Sequence, residues 1–157
     1  MALSDQLQNP LLGKWETQHE IAPFNVIYDE HFQPALEIAC SEALLEVEEI
    51  IKNRNEPTFD NTIEALLSTG QLLDRIVSTF YTIAGAHTNK KRDELLLIFS
   101  SKLSDHNTNI YSNTELFDRI DRVLETKHLN ELDQEQDRVL KLIHRNFVRS
   151  GAALKGQ

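Results

Sequence analysis

An all-α fold is what this sequence predicts: an antiparallel array of four or five helices preceded by an extended N-terminal strap. Three observations carry that expectation. Every apolar segment of any length recurs at three and four residues, the spacing that places side chains on one face of a helix. No run alternates with period two, so no strand is expected. Only five Gly and four Pro occur, and three of the prolines (Pro10, Pro23, Pro34) fall at the N-terminal end, which sets that segment apart from the rest.

Residues 1–28 show no helical period. Their large apolar groups, Leu11, Leu12, Trp15, Phe24 and Ile27, are spaced like the anchors of a strap lying across a core. From about Asp29 the positions Phe32, Leu36, Ala39, Ala43, Val47 and Ile50 define the buried face of a first helix reaching about Asn53. Pro34 has no amide hydrogen, so it is expected within the first turn, where that donor has no intrahelical partner. Asn53-Arg54-Asn55-Glu56-Pro57 ends this helix, and Thr58 or Asn61 can cap the next.

The second helix is expected to be long, with the stripe Ile63, Leu66, Leu67, Gly70, Leu73, Val77, Phe80 and Ala84. Gly85–Asn89 should close it. A third helix bears Leu95, Leu96, Phe99, Leu103, His106 and Ile110 to about Asn113, and a shorter fourth bears Leu116, Phe117, Ile120, Val123 and Leu124. The last begins near Asp133, carries Val139, Leu140, Ile143 and Phe147, and stops at Ser150-Gly151, where glycine suits a left-handed closing residue. The domain organisation expected is therefore a strap, 1–28, and one helical domain, 29–157.

Composition narrows the function. Sixteen Lys and Arg stand against twenty-five Asp and Glu, a net charge of −9, so a nucleic-acid backbone or an anionic membrane would be repelled by the averaged field, and neither is an expected partner. Cys40 is the single cysteine and excludes an internal disulfide. Met1–Asp5 offers no basic segment and no apolar run follows it, and the longest apolar run, Leu95–Phe99, is far shorter than a membrane span. Together these point to the cytoplasm.

Chemical motifs are sparse. His-Glu-x-x-His, which would place two histidines one turn apart on zinc, is absent. Two Glu-x-x-His pairs occur, Glu16 with His19 and Glu125 with His128. Carboxylate-bridged iron in helical bundles uses two such pairs, but His19 sits in the proline-bounded strap. His87 with Lys90 borders a helix break, a poor place for a phosphate-accepting histidine. Seven carboxylates between Asp29 and Ile51, with no Lys or Arg among them, read as a solvated face. Arg138, Lys141, Arg145 and Arg149 form a basic stripe, suited to the negative end of the last helix, to the acidic first helix, or to a partner surface. His106 and His144 border apolar faces and read as packing histidines, Cys40 as a small core residue, and Trp15 and Tyr81 as packing groups. No catalytic, cofactor-binding or metal-binding residue emerges.

Several ordered blocks carry a resemblance. Asn9-Pro10-Leu11-Leu12, Ala22-Pro23-Phe24 and His31-Phe32-Gln33-Pro34-Ala35 resemble the opening of the thimet-oligopeptidase-like zinc metallopeptidases. The stretch from Asn55 to Leu66, then Ser68-Thr69-Gly70 and Ala86-His87-Thr88-Asn89, is similar to the peptidyl-dipeptidase branch. So are Ile110-Tyr111-Ser112-Asn113, Glu115-Leu116-Phe117 and the run from Ile143 to Leu154. The resemblance implies a much longer parent that removes C-terminal dipeptides from oligopeptides, using one zinc ion held by a His-Glu-x-x-His motif and a further glutamate in its C-terminal part. This chain would supply one wall of a deep substrate channel, would be inactive alone, and would have the missing catalytic portion as its partner. That reading predicts an exposed apolar docking surface. The alternative is a stand-alone helical interaction module without catalysis.

Overall fold

The computed structural model describes residues 9–129 and 132–153. The strap expectation at residues 1–8, and Gln157 with the other last residues, lie outside them. The described chain is helical and, as described, without strands, as the periodicities predict: α1 (Asp29–Lys52), a π-helical segment (Phe59–Glu64) continued by the short α2 (Ala65–Leu67), α3 (Gln71–Ala86), α4 (Lys90–Tyr111), α5 (Thr114–Thr126) and α6 (Gln134–Arg149). Short 3₁₀ turns occur at Gln18–Glu20 and Lys127–Leu129.

The chain divides into two compact units. One takes the described residues up to Ala43 with Gly70–Leu103, and the other Leu44–Thr69 with the described residues from Ser104. In the first, Leu11, Trp15 and Ile27 of the strap are buried with Phe32, Leu36, Ile76, Phe80 and Phe99. Phe80 and Phe99 stack with centroids 3.9 Å apart, and Phe32 meets Phe80 edge-on at 5.1 Å. Such rings contribute both a large buried apolar area and a preferred geometry. The strap is not continuously extended. Turns and the 3₁₀ segment bend it, because its anchors must reach a compact core, and Asn9 ties it down by donating to the His31 carbonyl at 2.8 Å.

Asp29 begins α1 and receives Arg92 Nε of α4 at 2.7 Å and Asn89 Nδ2 at 3.1 Å. Burial alone would raise its carboxyl, but these hydrogen bonds and the Arg92 charge outweigh burial and hold it below the ordinary carboxylate range. Pro34 corrects the first-turn expectation: it lies one turn further inside α1. The carbonyl four residues back belongs to the exposed Glu30, so water can replace the missing backbone donor there.

The expected long second helix is in fact interrupted. Gly70 has φ +76°, a left-handed conformation that ends α2 and opens α3. Ser68 and Thr69 turn the chain locally, donating their hydroxyls to the carbonyls of Glu64 and Leu66 at 2.9 and 2.8 Å. A periodic stripe continues across such a break, so periodicity alone does not expose it.

In the second unit α5 and α6 pack against each other and against the π segment. Val47, Ile50, Phe59, Ile63, Leu116, Ile120, Val123, Leu140 and Phe147 form the core. Asn113 caps α5 by accepting from the Leu116 amide at 2.9 Å, and Asp133 and Gln136 cap α6 reciprocally. Gly151 closes α6 at φ +89°, the role expected of it.

Candidate functional site: a groove beside a π-helical segment

A groove lies within the second unit. Open to solvent, it offers about 650 Å³ between the last turns of α1 (Glu46, Glu49, Ile50), Asn53, and the wall made by Asn61, Ala65 and Thr69. Local sequence chemistry builds that wall. Thr58 accepts from the Asn61 amide at 3.2 Å, while Asn61 Oδ1 accepts from the Thr58 amide at 2.9 Å, a reciprocal cap that starts the segment. The turns after it are π-helical, a geometry found mostly as short interruptions and frequent at functional sites.

Arg119, reaching from α5, braces the same wall. It donates to the Asn53 carbonyl at 2.6 Å, to Asn61 Oδ1 at 3.2 Å and to Thr62 Oγ1 at 3.4 Å. Burial presses its pKa below the usual arginine value, and the charge of Glu56 works in the opposite direction. The sequence reading noted Asn61 as a cap but missed Arg119. The available signal was an arginine set between Leu116-Phe117 and Ile120 on a strongly amphipathic helix, where a solvated side chain is the ordinary outcome.

The groove can bind or pack but holds no reacting pair. Its Ser68 and Thr69 hydroxyls spend their protons on backbone carbonyls, and no histidine or cysteine lines it. Its charged side chains include Lys52, paired with Glu48 one turn away at 2.6 Å.

The other residues weighed in the sequence do not assemble into a site. Glu16, His19, Glu125 and His128 are exposed, and Glu125 pairs with Arg122 at 3.3 Å. His87 is exposed, with Arg92 donating to its carbonyl. Arg138, Arg145 and Arg149 are exposed, while Lys141 donates to Asp137 of its own helix, which also accepts from Lys127 at 2.7 Å. His144 Nε2 stands 2.9 Å from Asp121 Oδ1, its ring beside Phe117. His106 is buried, its Nδ1 without a hydrogen-bond partner, and burial lowers its pKa.

Cys40 is half-buried against the first core, and burial raises its thiol pKa although Lys102 opposes this. Trp15 donates to the Pro10 carbonyl at 2.8 Å beneath the Arg75 guanidinium, 4.6 Å from the ring centroid. Tyr81 is partly exposed beside Phe80 and Phe99. Among the described residues no three His, Cys, Asp or Glu stand close enough to share a metal ion, and no helix is long and apolar enough to cross a membrane.

Fold and groove thus define an all-α module that presents a braced surface, with no constellation of reacting groups among the described residues. Over 146 residues, 93% of the chain, it is 36% identical to a dipeptidyl carboxypeptidase of Salmonella typhimurium and equally to one of Escherichia coli. The matches take in 22% and 21% of those two proteins, so the chain spans about a fifth of the length of the curated relatives it matches. No protein-family model matches the chain. The resemblance to peptidyl-dipeptidases read from the ordered blocks therefore holds across nearly the whole chain.

Proposed function

We propose that this chain is the N-terminal scaffold of a cytoplasmic zinc metallopeptidase of the peptidyl-dipeptidase kind, forming one wall of its substrate channel and inactive by itself. The observation that carries the reading is the disproportion of the match: nearly all of this chain aligns with only about a fifth of each relative. A portion related to a peptidase over nearly all its length, yet lacking a reacting pair in its groove, suits a structural role within a larger enzyme.

Zinc belongs to the remainder in this reading. The residues present do not fit it: His-Glu-x-x-His is absent, and the described histidines and carboxylates do not gather into a metal-binding group. The partner is accordingly the catalytic portion, and the substrate an oligopeptide shared between the two.

A direct test offers an N-blocked oligopeptide to the purified chain with added zinc and looks for a released C-terminal dipeptide by mass spectrometry. The expected result is no turnover. In parallel, the chain replaces the matching stretch of the Escherichia coli dipeptidyl carboxypeptidase, and the chimera is expected to release dipeptides. Turnover by the isolated chain, or a chimera that folds without activity, overturns the reading.

A further inference from the structure

The stretch from Ile21 to Tyr28 reads Ile-Ala-Pro-Phe-Asn-Val-Ile-Tyr and carries no charge, in a chain where 26% of residues are charged. Five of its eight residues face outward, four of them large and apolar. Ile21 is 56% exposed, Phe24 47%, Val26 42% and Tyr28 56%, while Ile27 is buried in the first core and Ala22 packs against it. Scattered exposed apolar residues are ordinary, but four large ones within eight consecutive residues are a local concentration.

The backbone beneath the patch is pinned. The Phe24 amide donates to the Ala22 carbonyl at 2.8 Å and the Val26 amide to the Pro23 carbonyl at 3.0 Å. The Tyr28 amide donates to His31 Nδ1 at 3.0 Å, and the His31 amide returns to the Tyr28 carbonyl at 3.0 Å. Ile27 anchors the segment in the first core, while Ile21, Phe24, Val26 and Tyr28 stay exposed above these bonds. Aromatic and aliphatic groups without charge are the composition of an interface centre.

We infer that the outward face of Ile21–Tyr28 is the surface on which the rest of a dipeptidyl carboxypeptidase chain docks. This rests on the reading of the chain as part of such an enzyme. In the relatives about four fifths of the polypeptide lies outside the matching stretch and must pack against it somewhere. The strap offers an uncharged surface for that purpose, and a complementary apolar face of the remainder is the occupant it fits.

The test uses the chimera described above and the isolated chain, each carrying Phe24→Ser with Tyr28→Ser, or Leu97→Ser as a control at another exposed leucine of the same unit. In the chimera the double variant should lower peptidase activity roughly tenfold or more and lower Tm, whereas the control and a conservative Phe24→Leu should retain both. In the isolated chain the double variant should leave Tm unchanged, which separates docking from internal packing. A double variant that behaves like the parent chimera overturns the inference. So does its lowering Tm in the isolated chain to the same extent.

Two other occupants are distinguished with the isolated chain. A dimer in sedimentation that the double variant abolishes assigns the face to a second copy. Binding to phosphatidylcholine vesicles that the double variant abolishes assigns it to a lipid surface. Either result overturns the inference. A parent chimera that folds but lacks activity, with its Tm still lowered by the double variant, refutes the enzymatic reading and leaves the docking face supported. A parent chimera that does not fold refutes both.

Discussion

Arg119 Nη1 and the carbonyl oxygen of Asn53, 66 residues apart in sequence, lie 2.6 Å from each other. The carbonyl belongs to the turn that follows α1, and the same guanidinium reaches the capping side chain Asn61. One cation therefore joins the end of α1, the start of the π segment and α5, and so fixes two sides of the groove.

Replacing it should be costly. A hydrogen bond to a charged group contributes about 1.5–3 kcal/mol, and Arg119→Ala removes three contacts at a partly buried site. The expected loss is about 2 kcal/mol, seen as a fall in Tm of roughly 4–8 °C for a chain of this size. Arg119→Lys should recover less than half, because an ammonium lacks the planar fork that serves separate acceptors. Urea denaturation of the three proteins checks both statements.

Gly70 should resist substitution for a conformational reason rather than a steric one. A Cβ there would stand 3.7 Å from the Ala43 Cβ, an ordinary contact, but φ is +76°. Gly70→Ala is expected to destabilise by about 1–2 kcal/mol, and Gly70→Asn by less, since asparagine tolerates the left-handed region. Thermal unfolding of the two variants decides the order.

Pro34 presents the opposite case. Its ring sits inside α1, where proline ordinarily costs ~3 kcal/mol and alanine restores the missing donor. Part of that gain is offset by the wider freedom of the unfolded chain, which is worth up to about 1 kcal/mol. Pro34→Ala should therefore raise the unfolding free energy by about 1–2 kcal/mol, read from urea denaturation.

The buried His106 makes stability depend on pH. Burial lowers its folded pKa below the unfolded value near 6.5, so between the two the unfolded chain binds more protons. The stabilisation is fully present above the unfolded pKa and is lost as pH falls through the folded one. Unfolding free energy should thus decline from pH 7 downward, whereas His106→Leu should flatten this slope and, with the unpartnered Nδ1 removed, cost little at pH 7. Asp29 adds a separate loss at lower pH, because its folded pKa is depressed below 3.8.

The helices were legible because each buries one stripe: Phe32, Leu36, Ala39 and Ala43 report α1, and Leu116, Ile120 and Val123 report α5. The cap Thr58, the start of α6 near Asp133 and the closing Gly151 were readable as local chemistry. The break at Gly70 and the π turns were not, since both are backbone events that leave the apolar spacing nearly intact. Arg119 escaped for another reason: its acceptors at Asn53, Asn61 and Thr62 are distant in sequence, and only the folded chain brings them within reach of the guanidinium.

Cys40 gives the molecule an internal clock. It is the single thiol of the chain, half-buried against the first core, with burial holding its proton on. Alkylation consumes the thiolate, so the rate at which a maleimide consumes Cys40 reports the access of reagent to that half-buried flank, without any introduced label. Whatever comes to cover the first unit will be read as a slowing of that clock.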